Sequence, residues 1–498
     1  MIEHILQIID LTDQGDGLAK TAQGQVVFVP YSVPGDVIKA ELLPLKKNIW
    51  QAKNVAIVEK SVNRQSAPCP YFYDPLLDSV KADSSTVLSR NSGCGGCQVQ
   101  ALNYADLISV KENILCSQLE RIAQLNLTEI DFKSIIGMHN PRHYRNNVQL
   151  KVSYNTTTKQ YEFGFYAQKS NDIIVHKQCL ISQTTDQIIK QTINQKLSQA
   201  EPELQKYLIE FWDELIIRTG ENSKEVLIAF SFTNIDKSLL KAEFKLIWQE
   251  IFDAINSELS GLSENYTLQS LWLLDQENSQ NDQHLLGEEY FTEIILEKHF
   301  QIYPRSFFQV NTKQTEVMFR IIREFVIDAL KSSNNYLNNF YDRQENNNLN
   351  IKSGTLYDLY CGTGTIGIIL SDLFKEIKGV ESFPSSVQNA KQNAILNSIT
   401  NAEYYLDKAE EWLKQQQISE QDFIIVDPPR KGLDKALIKT LNQSKASNLI
   451  YVSCHPGTLA RDLKLLKDKW QIKIIQPIDM FPWTMHVECI VLMSRLNG

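Results

Sequence analysis

The stretch Asp358-Leu-Tyr-Cys-Gly-Thr-Gly-Thr-Ile-Gly367 constrains the fold more than any other part of the chain. It closes a strand-like run and opens a helical one. Its glycines at 362, 364 and 367 fall where the turn must be tight and a ligand must approach the backbone. Glu381 ends the next strand-like run, Ile377 to Glu381, where a carboxylate accepts hydrogen bonds from ribose hydroxyls. Phe423 to Asp427, Leu449 to Ser453, Ile472 to Pro477 and Glu488 to Ser494 also read as strands, with helical stretches between most of them. This alternation predicts a doubly wound α/β sheet within residues 301–498. The glycine spacing alone fits a dinucleotide or S-adenosylmethionine, so the choice of cofactor rests on what else lines the sheet.

In an open α/β sheet the ligand sits at the carboxyl ends of the strands, and Tyr360, Glu381, Asp427 and Cys454 all lie at or just past such ends. The segment Ile478 to Val487 is short enough for an antiparallel hairpin, which turns Glu488 toward the same edge. A lone cysteine is more often a small buried hydrophobe; the position of Cys454 at the ligand edge reverses that reading. Uracil is a substrate that needs such a pair. A thiolate adding to C6 makes C5 nucleophilic toward a sulfonium methyl, and a base must then remove the C5 proton so that the thiolate can leave. Cys454 and Glu488 fit these two roles, and Asp427 is placed to orient base or cofactor. Cys116, Cys361 and Cys489 read as structural.

A chain of 498 residues supports two or three packed domains. No apolar run is long enough to span a bilayer and the N-terminus lacks a secretion pattern, so a cytoplasmic protein without a membrane segment is expected. Eight cysteines are too few for a disulfide-built fold. The net charge of −9 requires any RNA surface to be a local patch. Residues 1–62 alternate short β-branched runs with Gly and Pro turns, which predicts a small antiparallel β-barrel, either an oligonucleotide binder or a packing module. Residues 63–300 mix helical stretches (Asp106 to Ala123, Gln183 to Phe211) with strands such as Val148 to Val152, giving a mixed α+β central domain. Arg142-His-Tyr-Arg145, with Lys151 nearby, reads as a solvated loop whose cations can meet an RNA backbone. The polar segment Ser332 to Ser353 reads as a mobile surface loop.

Four motifs stand in order: the glycine motif from Asp358, Asp427-Pro-Pro-Arg-Lys-Gly432, Ser453-Cys-His-Pro-Gly-Thr-Leu-Ala-Arg-Asp462 and Asp479-Met-Phe-Pro-Trp-Thr-Met-His-Val-Glu488. Together they resemble the RNA uracil-5 methyltransferases over nearly the whole chain. The resemblance implies that Cys454 is the nucleophile and Glu488 the proton-abstracting base. It places S-adenosylmethionine against Gln309, Tyr360, Thr365, Glu381, Asp407 and Asp427. The barrel resembles the family's TRAM module, which is OB-like and holds RNA. The chain further resembles the branch that carries a [4Fe-4S] cluster, whose ligands fall on Cys69, Cys94, Cys97 and Cys179, with structural zinc as the alternative occupant. That branch acts mostly on 23S rRNA, so structured RNA, 23S rRNA first, is the expected partner of a monomer. The transfer-RNA T-loop uridine is the runner-up, and a non-catalytic RNA-binding iron-sulfur protein is the rival from another class. Three places depart from the family pattern: a long spacer Pro70 to Gly93, His455 where Asn is common, and Trp483 where Gln is common.

Overall fold

The computed structural model describes residues 3–73, 93–168, 170–235, 242–332 and 353–496. The segment predicted as a mobile loop and most of the spacer between Cys69 and Cys94 lie outside the described residues. Five strands between Glu3 and Glu59 close into a barrel. Strand alternation sends Leu6, Ile8, Val27, Val29 and Ile38 into its interior. Where the chain leaves the barrel, buried Asp36 accepts hydrogen bonds from the Val33 and Ser61 amides and pairs with Arg64 at 2.8 Å. That ion pair ties the barrel to the segment that follows.

A seven-stranded sheet spans Asn147–Asn155 to Gln283–Gly287 and carries the helices Thr185–Leu197 and Ala242–Ser260. The helical stretch Gln183 to Phe211 holds two helices, Thr185–Leu197 and Pro202–Phe211. Pro202 lacks an amide hydrogen and suits a first turn, so it starts a new helix instead of continuing the old one.

The third layer is an eight-stranded sheet. Its order is Ala402–Leu406, Phe374–Glu381, Ser353–Leu359, Phe423–Val426, Asn448–Ser453, Glu488–Arg495, Trp470–Ile478 and Asp131–Phe132. Adjacent strands run parallel except Glu488–Arg495, which is antiparallel to both neighbours, so the expected hairpin forms. Both faces are buried. Leu356, Ile425 and Ile450 join one apolar cluster, while Tyr357, Ile424 and Leu449 join the other. Two edge strands, Ala402–Leu406 and Asp131–Phe132, were not legible in the sequence, because five and two residues carry too little periodicity. The second comes from far upstream and pairs in parallel with Ile474 and Ile475.

The helix Tyr104–Arg121, capped by the Asn103 side chain on the Asp106 amide, packs Leu115 and Leu119 into the cluster that holds Leu459 and Leu463. Its Lys111 is fully buried and donates to Asp479 Oδ1 at 2.6 Å and to the carbonyls of Phe481 and His486. Tyr104 donates its hydroxyl to the other Asp479 oxygen at 2.6 Å. A buried charge stripped of its partner is costly. Lys111→Met is therefore expected to destabilise the protein by about 3–5 kcal/mol. Chemical denaturation checks this, and Asp479→Leu added to Lys111→Met should recover much of the loss.

Candidate active site

Tyr360, Glu381, Asp427 and Cys454 each end or follow one of the parallel strands, and Glu488 begins the antiparallel one. All five therefore stand at one edge of the sheet. The turn that builds this edge needs left-handed backbone: Tyr360 has φ of 64° and Gly364 has 79°. A Cβ at Gly364 would stand 2.8 Å from the Tyr404 hydroxyl, so only glycine lets the loop close on the sheet. The Gly362 amide donates to Glu381 Oε2 at 3.2 Å, and Glu381 Oε1 takes the Ser382 and Phe383 amides. Oε1 is thus occupied by its own loop, while Oε2 keeps accepting capacity for a ligand hydroxyl.

A cavity opens beside this turn, lined by Phe308, Gln309, Tyr360, Thr363, Thr365 and Asp427 among others. Four of the six residues read as cofactor contacts, Gln309, Tyr360, Thr365 and Asp427, line it directly. Glu381 and Asp407 stand next to it: the Asp407 amide donates to the Glu381 carbonyl, and Glu381 holds Gly362 of the lining. Phe308 and Thr363 were not singled out from the sequence, although both lie within two residues of positions that were.

Strand register brings Cys454 and Glu488 near each other: Ser453 pairs with Cys489 at the end of the antiparallel ladder, Cys454 and Glu488 are the next residues outward, and the Glu488 charge acts on the Cys454 thiol. Burial, aided by the Asp427 charge, pushes the Glu488 carboxyl up to about 8. Burial, then the Glu488 and Asp427 carboxylates, push the Cys454 thiol up to about 12. The Arg430 guanidinium opposes both shifts. It donates to His486 Nε2 at 3.1 Å, and burial holds His486 down at about 4, so that imidazole is a neutral acceptor. Arg430 belonged to a recognised motif but carried no assigned role, since its relation to Cys454 and Glu488 exists only in the fold.

Cys454 leads into the helix Pro456–Leu466, which begins as the sequence demands, with Pro at the first position. His455, where Asn is common, caps this helix: its Nδ1 accepts the Thr458 amide at 3.2 Å. The Asp427–Gly432 turn is fastened to the same helix by Asp462, which accepts from the Leu433 amide and the Tyr451 hydroxyl.

The Arg142–Lys151 stretch is not the solvated loop expected, although Arg142 itself is exposed. Tyr144 is buried and donates to the Pro482 carbonyl, and Asn146 donates to the Gln309 carbonyl and to Thr312. Arg145 spends its Nε–H on the Asn147 carbonyl, and Lys151 pairs with Asp213 and Glu214 at 2.7 and 2.9 Å. Tyr144 and Asn146 thus brace segments of the site, while Lys151 is neutralised by carboxylates from a strand invisible to local sequence reading.

Cys69, Cys94, Cys97 and Cys179 line a second cavity. Burial raises the thiols of Cys69, Cys94 and Cys97, with Cys94 at about 12. His176 lines the same cavity and is 4% exposed, and neither of its ring nitrogens has a hydrogen-bond partner. Among the described residues no group of three or more His, Cys, Asp or Glu is placed to hold a single metal ion. Among them, too, no helix is long and apolar enough to cross a membrane.

Comparison with known proteins follows the same lines. An uncharacterized RNA methyltransferase of Halalkalibacterium halodurans is 32% identical over 511 residues, covering 98% of this chain and 96% of the relative. One from Listeria innocua is 31% identical over 498 residues, covering 97% and 95%. The solved structure of Pyrococcus abyssi tRNA (uracil-54, C5)-methyltransferase in complex with S-adenosyl-L-homocysteine aligns over 99% of this chain and 100% of that one. Its TM-score is 0.67 at 22% identity, a shared fold. Residues 114–496 match the tRNA (Uracil-5-)-methyltransferase family. A match of that extent, with relatives aligned almost end to end, places this chain in the tRNA (uracil-5-)-methyltransferase family of RNA methyltransferases.

Proposed function

We propose that this enzyme methylates C5 of a uridine in structured RNA, 23S rRNA first, through a covalent bond between Cys454 Sγ and uracil C6. The observation that carries this reading is the nearness of Cys454 and Glu488 beside the cavity of Gln309, Tyr360, Thr365 and Asp427. S-adenosylmethionine supplies an electrophilic methyl on a sulfonium, and the cavity fits such a group: its glycine turn lets a ligand approach the backbone, and Glu381 Oε2 retains an accepting site. Cys454 loses its proton to solvent and adds to C6 as the thiolate, and the electron pair moves to C5 and the O4 carbonyl. C5 takes the methyl, the sulfonium leaving as a neutral thioether; Glu488 then removes the C5 proton, and the returning electrons expel the Cys454 thiolate. The target must leave its stack to reach Cys454, so an extruded loop or junction uridine is the substrate form. The barrel of residues 1–62 is assigned to holding that RNA, residues 63–300 to the cysteine site and central sheet, and residues 301–498 to catalysis.

The T-loop uridine of transfer RNA is the second reading, favoured by the family's description and by the substrate named for the Pyrococcus abyssi enzyme. Mass spectrometry separates the two after incubation with S-adenosylmethionine and unmodified ribosomal and transfer RNA transcripts. A 5-methyluridine on one 23S position is expected; methylation confined to the T-loop moves the substrate, and no methylation of either RNA refutes the activity.

For the four thiols we infer a [4Fe-4S] cluster. They line one cavity from three chain segments, and the orphaned His176 ring offers a donor that a cluster sulfur can accept. Protein purified without oxygen is expected to be brown with about four irons per chain. Colourless protein with stoichiometric zinc would overturn the assignment.

Cys454→Ala should abolish turnover and leave RNA affinity intact, while Glu488→Gln should slow release of the methylated RNA by about 10²–10⁴-fold and trap the adduct. Methyl transfer surviving Cys454→Ala sinks the covalent route. A base acts deprotonated, and Glu488 is held up at about 8. Breakdown of the adduct should therefore quicken as pH rises from 6 toward 9, and a profile flat over that range in single-turnover kinetics counts against Glu488 as the base.

A further inference from the structure

The connection 479–487 ends at the proposed base itself, since Ile478 pairs with Glu488 across the hairpin. What holds this loop therefore sets where Glu488 points. At its centre Trp483 adopts φ of 65°, a left-handed conformation that a bulky side chain avoids unless its surroundings impose it. Those surroundings are the residues directly after Cys97. The amides of Gln98 and Val99 both donate to the Trp483 carbonyl, at 2.9 and 3.1 Å. The Gln98 side chain returns the contact: its Oε1 accepts the Met485 amide at 2.8 Å. On the opposite side the Trp483 indole donates to the Pro141 carbonyl at 2.9 Å.

Strain at a loop beside a reacting group persists only where other contacts over-determine it. Here three hydrogen bonds come from Gln98 and Val99, the two residues that follow Cys97 of the second cavity. We propose that the four-cysteine module is the clamp for the catalytic loop. Gln98 is its positioning residue, fixing 483–487 so that Glu488 faces Cys454. The inference rests on the reading of Glu488 as base. It gives the cysteine site a part in catalysis without any contact with RNA or the methyl donor. Order around Cys97 is transmitted through two peptide units to Trp483 and Met485, and so to the start of the strand that carries Glu488.

Gln98→Met keeps the length of the side chain and removes the acceptor; Gln98→Glu keeps an acceptor. Gln98→Met should lower kcat about 10- to 100-fold, the scale of a small misplacement of a reacting group. It should also accumulate the covalent Cys454–RNA complex, speed amide exchange at 483–487, and leave RNA affinity and iron content unchanged. Gln98→Glu should recover most of kcat. Wild-type kcat in Gln98→Met, equal impairment of both variants, or lost RNA affinity with kcat intact would each overturn the clamp. Should Gln98→Met fail to fold, Trp483→Phe removes the indole bond to Pro141 from the other side and is judged by the same readouts. Glu488→Gln run in parallel keeps the two readings apart. If it traps no adduct the base assignment falls, whereas the clamp falls if Glu488→Gln traps adduct and the loop variants behave as wild type.

Discussion

Lys111 and Asp479 are 368 residues apart in the chain and 2.6 Å apart in the fold, both without solvent exposure. Two charges removed from water at such cost persist only where geometry and further hydrogen bonds compensate them. Here Tyr104, the Phe481 amide and two carbonyls complete the set. The pair joins a helix from the upstream half to the last hairpin of the catalytic sheet. Gln314, from the helix Thr312–Ser332, adds a donor to the Asp479 carbonyl, and Asn311 adds one to that of Met480. The connection that leads to Glu488 is thus enclosed by segments from several parts of the chain.

The chemistry at the sheet edge depends on burial. Buried Glu488 and the half-buried Cys454 and Asp427 are three acidic groups, and each is shifted toward its neutral form. Arg430 is the cation that draws the first two back. The direction is shared: burial favours the neutral form of each, and the Arg430 cation favours the charged form of Cys454 and Glu488.

Six of the eight strands of the catalytic sheet were legible in the sequence to within a few residues at each end, because buried strands read as apolar runs and the glycine turn marks the first crossover. The edge position of Tyr360, Glu381, Asp427 and Cys454 followed from strand ends alone, and the reversal of the last strand followed from a connection too short for a helix. The barrel was legible from its turn residues, but not as wholly antiparallel, since Val26–Val29 pairs in parallel with Ile49–Glu59. Less was readable between 63 and 300, where the helix Tyr104–Arg121 and the strand Asp131–Phe132 turn out to serve the catalytic sheet. A two-residue strand has no period, and a lysine on an amphipathic helix reads as solvated until its partner is known.

The sequence by itself determined which residue types could react and which backbone turns could hold a cofactor, since thiol chemistry, glycine conformations and strand periodicity are local properties. Tertiary structure alone decided what surrounds them. It neutralised Lys151 with Asp213 and Glu214, put His455 to capping a helix, buried Lys111 against Asp479, and set Gln98 on the loop that leads to Glu488. These are pairings between segments far apart in the chain, and their energies come from burial and register, which no single stretch of sequence contains.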